Sequence, residues 1–250
     1  MKGIFRTHTG KVRPHNEDDG AVKENQTGHM LALVADGMGG HQAGDVASKM
    51  ARDGLLDYWK EIDKQLSPKE AEEWLNDTVQ KLNKEIFLQS RQNAQCEGMG
   101  TTLVAAVCTD EYVSFSNVGD SRVYLFEDRQ LKQMTEDHSL VGELVRSGQI
   151  SEEEAEHHPR KNVLLRALGT EKSIEVDVKT ISWREGDMLL LCSDGLTNMV
   201  SDEEISSYLS SSENLDEIAS QLVDHANKAG GEDNISLTLV RHETEGVSHT

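Results

Sequence analysis

Basic residues are scarce in this 250-residue chain: 25 Lys and Arg stand against 45 Asp and Glu, a formal charge of −20. No basic arm or stripe interrupts the excess, and a surface of this sign repels phosphate backbones and anionic headgroups. Nucleic acid and membrane surfaces are therefore not expected partners. Long apolar runs are missing too: stretches such as Met30 to Ala35 and Met188 to Cys192 fall far short of the roughly 18–20 residues of a spanning helix, so no membrane insertion is expected. The N-terminal MKGIFRTHTGKVRP has no apolar segment of the secretory kind. Export is not expected, and a cytoplasmic location is. Three cysteines, Cys96, Cys108 and Cys192, form no CxxC pair, and two lie in or beside apolar runs, which reads as buried thiols in a reducing compartment. With only three prolines there is no Pro-rich linker, and no internal repeat is visible. Aromatic residues are few at 4%, and acidic, aromatic-poor chains can be disordered; here 36% apolar residues in clear strand and helix patterns imply a packed core. A single domain over residues 1–241 with a short tail, 242–250, is expected.

What is present falls into layers. Residues 29–35 are apolar and β-prone and run into Asp36-Gly37, which reads as a buried strand ending in a turn. Ala43, Val46, Ala47, Met50, Ala51, Leu55 and Trp59 recur at helical spacing, one core-facing stripe. A second helix starts at Ser67-Pro68-Lys69-Glu70, where Ser67 caps, Pro68 suits the first turn and Glu70 closes a capping box. Residues 101–134 read as an antiparallel meander with turns at Thr109-Asp110, Gly119-Asp120 and Glu127 to Arg129. Residues 136–172 are charged and helical by pattern, with a capping box at Ser151 to Glu154, and read as a surface flap. Strands resume at 174–181 and 188–192, helices follow near 202–209 and 215–229, and Ile235 to Arg241 is the last strand. Helix and strand blocks in this order imply sheets whose faces are covered by helices.

The acidic residues sit at informative places. Asp36 ends one apolar run, Asp120 lies in a turn between two, Asp194 ends another and Asp233 precedes the last, so all four can face one cleft. Taken singly, Asp-Gly after a strand is an ordinary turn dipeptide, and GMGGH at 37–41 lacks the Lys-Ser/Thr of a phosphate loop. Taken together, clustered carboxylates raise each other's pKa unless a cation removes the cost. Oxygen ligands with retained waters suit Mg²⁺ or Mn²⁺, whereas zinc prefers His and Cys, and no HExxH is present.

In order, the chain reads GKVRPHNED (10–18), VADGMGGH (34–41), GMGTT (98–102), VGDSR (118–122), EDHSL (136–140), CSDGLT (192–197) and GEDN (231–234). This ordered set resembles the metal-dependent Ser/Thr protein phosphatases (the PPM, or type-2C, family) over about residues 3–241. The flap text ELVRSGQISEEEAEHHPRKNVLLRALG is similar to the compact bacterial members paired with transmembrane Ser/Thr kinases. The resemblance implies an α+β fold, a four-layer α-β-β-α sandwich in which a central antiparallel β-sandwich is flanked by helices. It also implies two Mn²⁺ or Mg²⁺ ions at one end of that sandwich. Carried over, Asp36 bridges both ions, Asp194 and Asp233 bind the first and the Gly37 carbonyl the second; Glu17 and Asp18 hold its waters or ligate it, and Asp120 helps bind a third, weaker ion. Arg13 grips the substrate phosphate, so that Arg13, Asp36, Asp194 and Asp233 are the catalytic set. A metal-activated water attacks phosphorus directly, and the charge that develops meets the metals and the planar fork of Arg13.

The implied partners are phosphoserine and phosphothreonine proteins and a cognate Ser/Thr kinase, and a monomer is expected. The chain departs from the eukaryotic pattern at Met38, where a histidine would stand as general acid; a metal-bound water and His41 are the candidate substitutes, and His41 reads first as a structural residue beside the site. His157 and His158 read as exposed flap residues, and Arg146, Arg160, Lys161 and Arg166 as local positive charge there. Two other readings compete: a phosphatase-like binding module without catalysis, and a metal-dependent hydrolase of small phosphate esters.

Overall fold

The computed structural model describes residues 1–40, 43–212 and 214–243; most of the expected tail, residues 244–250, and the candidate His41 lie outside them. The chain runs β1 (Lys2–His8), β2 (Asp18–Glu24), β3 (Met30–Met38), α1 (Ala43–Lys60), α2 (Pro68–Gln92), β4 (Gly100–Thr101), β5 (Leu103–Cys108), β6 (Tyr112–Val118), β7 (Arg122–Glu127), β8 (Gln130–Gln133), α3 (Leu140–Arg146), α4 (Glu152–Glu156), β9 (Asp177–Ser182), β10 (Met188–Cys192), α5 (Asp194–Thr197), α6 (Asp202–Leu209), α7 (Leu215–Ala229) and β11 (Ile235–Arg241). Two antiparallel sheets result: β1-β11-β10-β7-β8, and β2-β3-β5-β6-β9 with β4 added to β3.

Three apolar clusters fix the order of the layers. Alternate residues of β3 point to opposite faces: Leu31, Leu33 and Ala35 meet Leu55, Trp59, Leu75 and Leu82 of α1 and α2, while Ala32 and Val34 join Leu189, Leu191 and Val240 of the other sheet. On that second sheet Leu190, Leu237 and Leu239 face Ile205, Leu222 and Ala226 of α6 and α7. The stack is helix, sheet, sheet, helix. Because both faces of each sheet are covered, central strands read as continuous apolar runs rather than as alternating ones. The capping box expected at Ser67 and Glu70 is formed, and Trp59, fully buried, donates its indole N–H to the Lys23 carbonyl at 2.9 Å, so its one polar atom is satisfied.

Four expectations change. Asp36-Gly37 is not a turn: β3 continues to Met38 because Gly37 and Met38 pair with Thr101 and Gly100. Asp194 opens α5 instead of closing a strand. The flap contains only the short helices α3 and α4, and β9 begins at Asp177, later than its apolar pattern suggested. The chain also remains part of the fold beyond Arg241, since His242 is 4% exposed and exchanges backbone hydrogen bonds with Gly186 and Asp187. Among the described residues, no helix is long and apolar enough to cross a membrane.

Candidate functional site

Antiparallel pairing gathers the acidic residues at one end of the sandwich. The start of β2 lies beside the end of β3, so Asp18 is the cross-strand partner of Asp36; like charges placed opposite each other destabilise a sheet. Asp194 follows β10 and Asp233 precedes β11 where these two strands pair, and Asp120 sits in the turn from β6 to β7. Charge interactions confirm the gathering. Burial, with the charges of Asp18, Asp194, Asp120 and Asp233, holds the Asp36 carboxyl well above the usual carboxylate range. Burial and Asp194 push Asp18 up to about 7, and burial with Asp194 and Asp137 pushes Asp120 up to about 8. Asp194 is raised by burial and by Asp233. Burial also raises Glu17, against the opposing charge of Arg13.

Arg13 reaches the cluster from the loop between β1 and β2, and its Nη2 donates to Asp233 Oδ2 at 2.7 Å. Burial disfavours its charge, but Asp233, Asp36 and Glu17 more than restore it. All eight residues expected at the site, Arg13, Glu17, Asp18, Asp36, Gly37, Asp120, Asp194 and Asp233, therefore belong to one end of the molecule.

Polar residues to which the sequence assigned no role hold them there. Asn234 donates to the carbonyls of Thr9 at 2.8 Å and His15 at 2.9 Å, and its Oδ1 accepts the Glu17 N–H at 2.7 Å. One buried side chain thus anchors the loop that carries Arg13 and Glu17. Ser193 donates to Asp18 Oδ2 at 2.8 Å while accepting the Ser236 N–H at 3.0 Å. Thr102 and Thr101 take up the backbone of Asp36: its N–H donates to Thr102 Oγ1 at 3.0 Å, and its carbonyl accepts Thr101 Oγ1 at 2.9 Å. The motif GMGTT is thereby explained as a backbone clamp. The glycines follow from crowding: a Cβ on Gly37 would lie 2.2 Å from the Gly44 carbonyl oxygen, and one on Gly195 only 1.9 Å from that of Asn234.

The donor set fits a hard divalent cation. Asp18 Oδ1 and Asp194 Oδ1 are buried without a hydrogen-bond partner, an expensive state for a carboxylate oxygen unless a cation meets it. The described side chains gathered here as candidate ligands are carboxylates. Among the described residues, no three His, Cys, Asp or Glu side chains form a ready-made ion cage, and Arg13 lies against Asp233. An ion bound here is one that keeps part of its water shell, as Mg²⁺ does.

The cysteines offer no competing chemistry. All three are free and buried, and burial pushes the Cys192 thiol up to about 12, far from a reactive thiolate. A cavity of about 440 Å³ is lined by Phe115, Asn117, Met134, Glu136 and Asp177 among others, none of them a residue of the carboxylate cluster. In the flap, Arg146 is paired with Glu136 and Glu143, and Arg166 with Glu175 and Asp177. The local positive charge expected there is, for these two arginines, partnered by carboxylates.

Residues 7–239 match the family described as protein phosphatase 2C. The chain is 52% identical to the serine/threonine phosphatase stp of Listeria monocytogenes over 97% of this chain and 96% of that one. It is 40% identical to protein phosphatase PhpP of Streptococcus pneumoniae over 98% and 99%. Among solved structures, serine/threonine phosphatase Stp1 from Staphylococcus aureus superposes with a TM-score of 0.92 at 38% identity, covering 98% of this chain and 95% of that one. The catalytic domain of the serine threonine protein phosphatase PstP, solved with two manganese ions, superposes with a TM-score of 0.84 at 34% identity, over 95% and 96%.

Proposed function

The chain belongs to the protein phosphatase 2C family, and we propose that this serine/threonine protein phosphatase works at the carboxylate cluster, with Arg13, Asp36, Asp194 and Asp233 as its catalytic set. The observation that carries the assignment is the pair of buried, unpartnered oxygens on Asp18 and Asp194 inside a group of carboxylates that raise each other's pKa. Asp36, Asp194, Asp233 and the Gly37 carbonyl would hold two Mn²⁺ or Mg²⁺ ions, with Glu17 and Asp18 on the ions or their waters and Asp120 serving a third. Bound ions supply Lewis-acid charge and acidify water for attack on phosphorus.

The chain's own groups do the rest. Arg13 keeps its charge and, where an ion held Asp233, would offer its planar fork to the phosphoryl oxygens. The raised carboxyls of Asp18, Asp36 and Asp120 would give up their protons on holding a cation. Ser193, Asn198 and Asn234 hold Asp18, Asp194 and the Arg13 loop in place, so little reorganisation remains when substrate arrives. No covalent phosphoenzyme is required. A single domain, reaching past Arg241 to His242 and carrying a flap at 136–172, would act as a cytoplasmic monomer on proteins phosphorylated by a Ser/Thr kinase; three free buried thiols suit a reducing compartment.

Hydrolysis of a phosphothreonine peptide tests this reading. Turnover should require added Mn²⁺ or Mg²⁺, and Asp36→Ala or Asp194→Ala should lower it by about a thousandfold. Activity retained in EDTA would overturn the assignment. Faster turnover of nucleotides than of phosphopeptides would overturn the substrate class.

A further inference from the structure

His138, in the EDHSL segment, is 3% exposed and makes none of the contacts described above. Its Nδ1 accepts the Gly119 N–H at 3.1 Å, and its own backbone N–H donates to the Gly119 carbonyl at 2.8 Å. An amide can only donate, so Nδ1 is unprotonated and the neutral ring carries its hydrogen on Nε2. That hydrogen faces Asp177 Oδ2 at 3.0 Å, and Arg166 Nη1, 3.3 Å from the same nitrogen, can only donate, so it lies beside Nε2 without a hydrogen bond to it. The other oxygen of Asp177 accepts from Arg166 of the flap at 2.9 Å. The preceding residue, Asp137, takes Arg122 through both of its oxygens, the shortest contact being 2.8 Å.

Two consecutive residues therefore grip the two ends of the turn Gly119-Asp120-Ser121-Arg122. Thr102 closes it from below: its Oγ1 lies 2.7 Å from Ser121 Oγ, and it packs where a side chain on Gly119, at φ +112°, would have to go. His138 lies near the start of the flap, and a later part of the flap returns to it, because Leu165 N–H donates to the His138 carbonyl at 2.7 Å. A histidine with one nitrogen on the turn and the other on the Asp177–Arg166 pair is placed to transmit the position of the flap to Asp120.

We propose that His138 is a positioning residue for Asp120: through Gly119 it fixes the turn that aims this carboxylate, and through Asp177 and Arg166 it ties the turn to the flap. The inference rests on the reading of Asp120 as a ligand of a weaker ion. Ligand-supporting residues of this kind typically change metal affinity by 10- to 100-fold, and about tenfold is expected here.

The test uses the full chain stripped of metal, with His138→Gln, which keeps a donor for Asp177 and loses the Gly119 contact, and His138→Asn, which keeps an acceptor for Gly119. Amide exchange should show Gly119 protected in the parent and in His138→Asn and unprotected in His138→Gln. Calorimetric titration with Mn²⁺ should show the weak site lost in Asp120→Asn, weakened about tenfold in His138→Gln and largely rescued in His138→Asn, with the tighter sites unchanged in both histidine variants. Unchanged protection of Gly119 in His138→Gln overturns the clamp. Lost protection with an unchanged weak site overturns the coupling to Asp120. If Asp120→Asn itself leaves the titration unchanged, the ligand reading falls and the proposal with it, and the exchange data distinguish that result from a failed clamp.

Discussion

Asp18→Asn should make the metal-free protein more stable while damaging its use of metal. The side chain lies opposite Asp36, and burial with the charge of Asp194 moves its carboxyl from an ordinary 3.8 to about 7. At about 1.4 kcal/mol per pH unit, ionising it in the folded protein costs about 4 kcal/mol. Asp36 and Asp194 can take up part of the displaced proton, so about 2–4 kcal/mol is expected. The sign follows from the raised value: the folded state binds this proton more tightly than the unfolded chain. The stability it contributes is present below pH 3.8 and is lost as pH rises through about 7. The amide replaces the carboxylate at equal size, its oxygen can still accept from Ser193, and its N–H₂ takes the place of the unpartnered Oδ1, where the neighbouring carboxylates can accept from it. Thermal unfolding in EDTA should give nearly equal midpoints for parent and variant near pH 4. At pH 8 the variant should lead by roughly 5–15 °C, taking about 2–4 °C per kcal/mol for a chain of this length. Added Mn²⁺ should raise the parent's midpoint more than the variant's. A variant less stable than the parent at pH 8 in EDTA, or a gain independent of pH, would refute the argument that these carboxylates are held against the preference of the fold.

Two further outcomes follow from the geometry. Gly195→Ala places a methyl group 1.9 Å from the Asn234 carbonyl oxygen, a clash between two backbones that no rotamer relieves, and should cost about 3 kcal/mol in urea unfolding together with most of the turnover; full activity would show that α5 can shift freely. Arg13→Lys keeps the charge but loses the fork, so KM for a phosphopeptide should rise about tenfold with a smaller change in kcat; an unchanged KM would remove Arg13 from the phosphate.

Much of the fold was legible because covering a sheet on both faces writes its strands as apolar runs and its helices as one-sided stripes. α6, α7 and β11 were read to their end residues, since caps and glycines mark their limits locally. The turn assigned to Asp36-Gly37 shows where local chemistry stops being decisive: Asp-Gly favours a turn, but Thr101 and Gly100, more than 60 residues later, hold it in a strand. Likewise Arg146 and Arg166 read as local positive charge, and the fold decides that Glu136, Glu175 and Asp177, nine to eleven residues away in sequence, pair with them. The sequence alone determined the layered α and β architecture and, through seven ordered motifs, which acidic residues were expected to share one cleft. Tertiary structure alone decided that Asp18 faces Asp36, that Asn234, Ser193 and Thr102 hold the site, and that His138 grips the Asp120 turn. Hydrophobic periodicity is recorded along the chain, whereas repulsion between carboxylates and the hydrogen bonds that restrain them exist only between strands that folding has brought side by side.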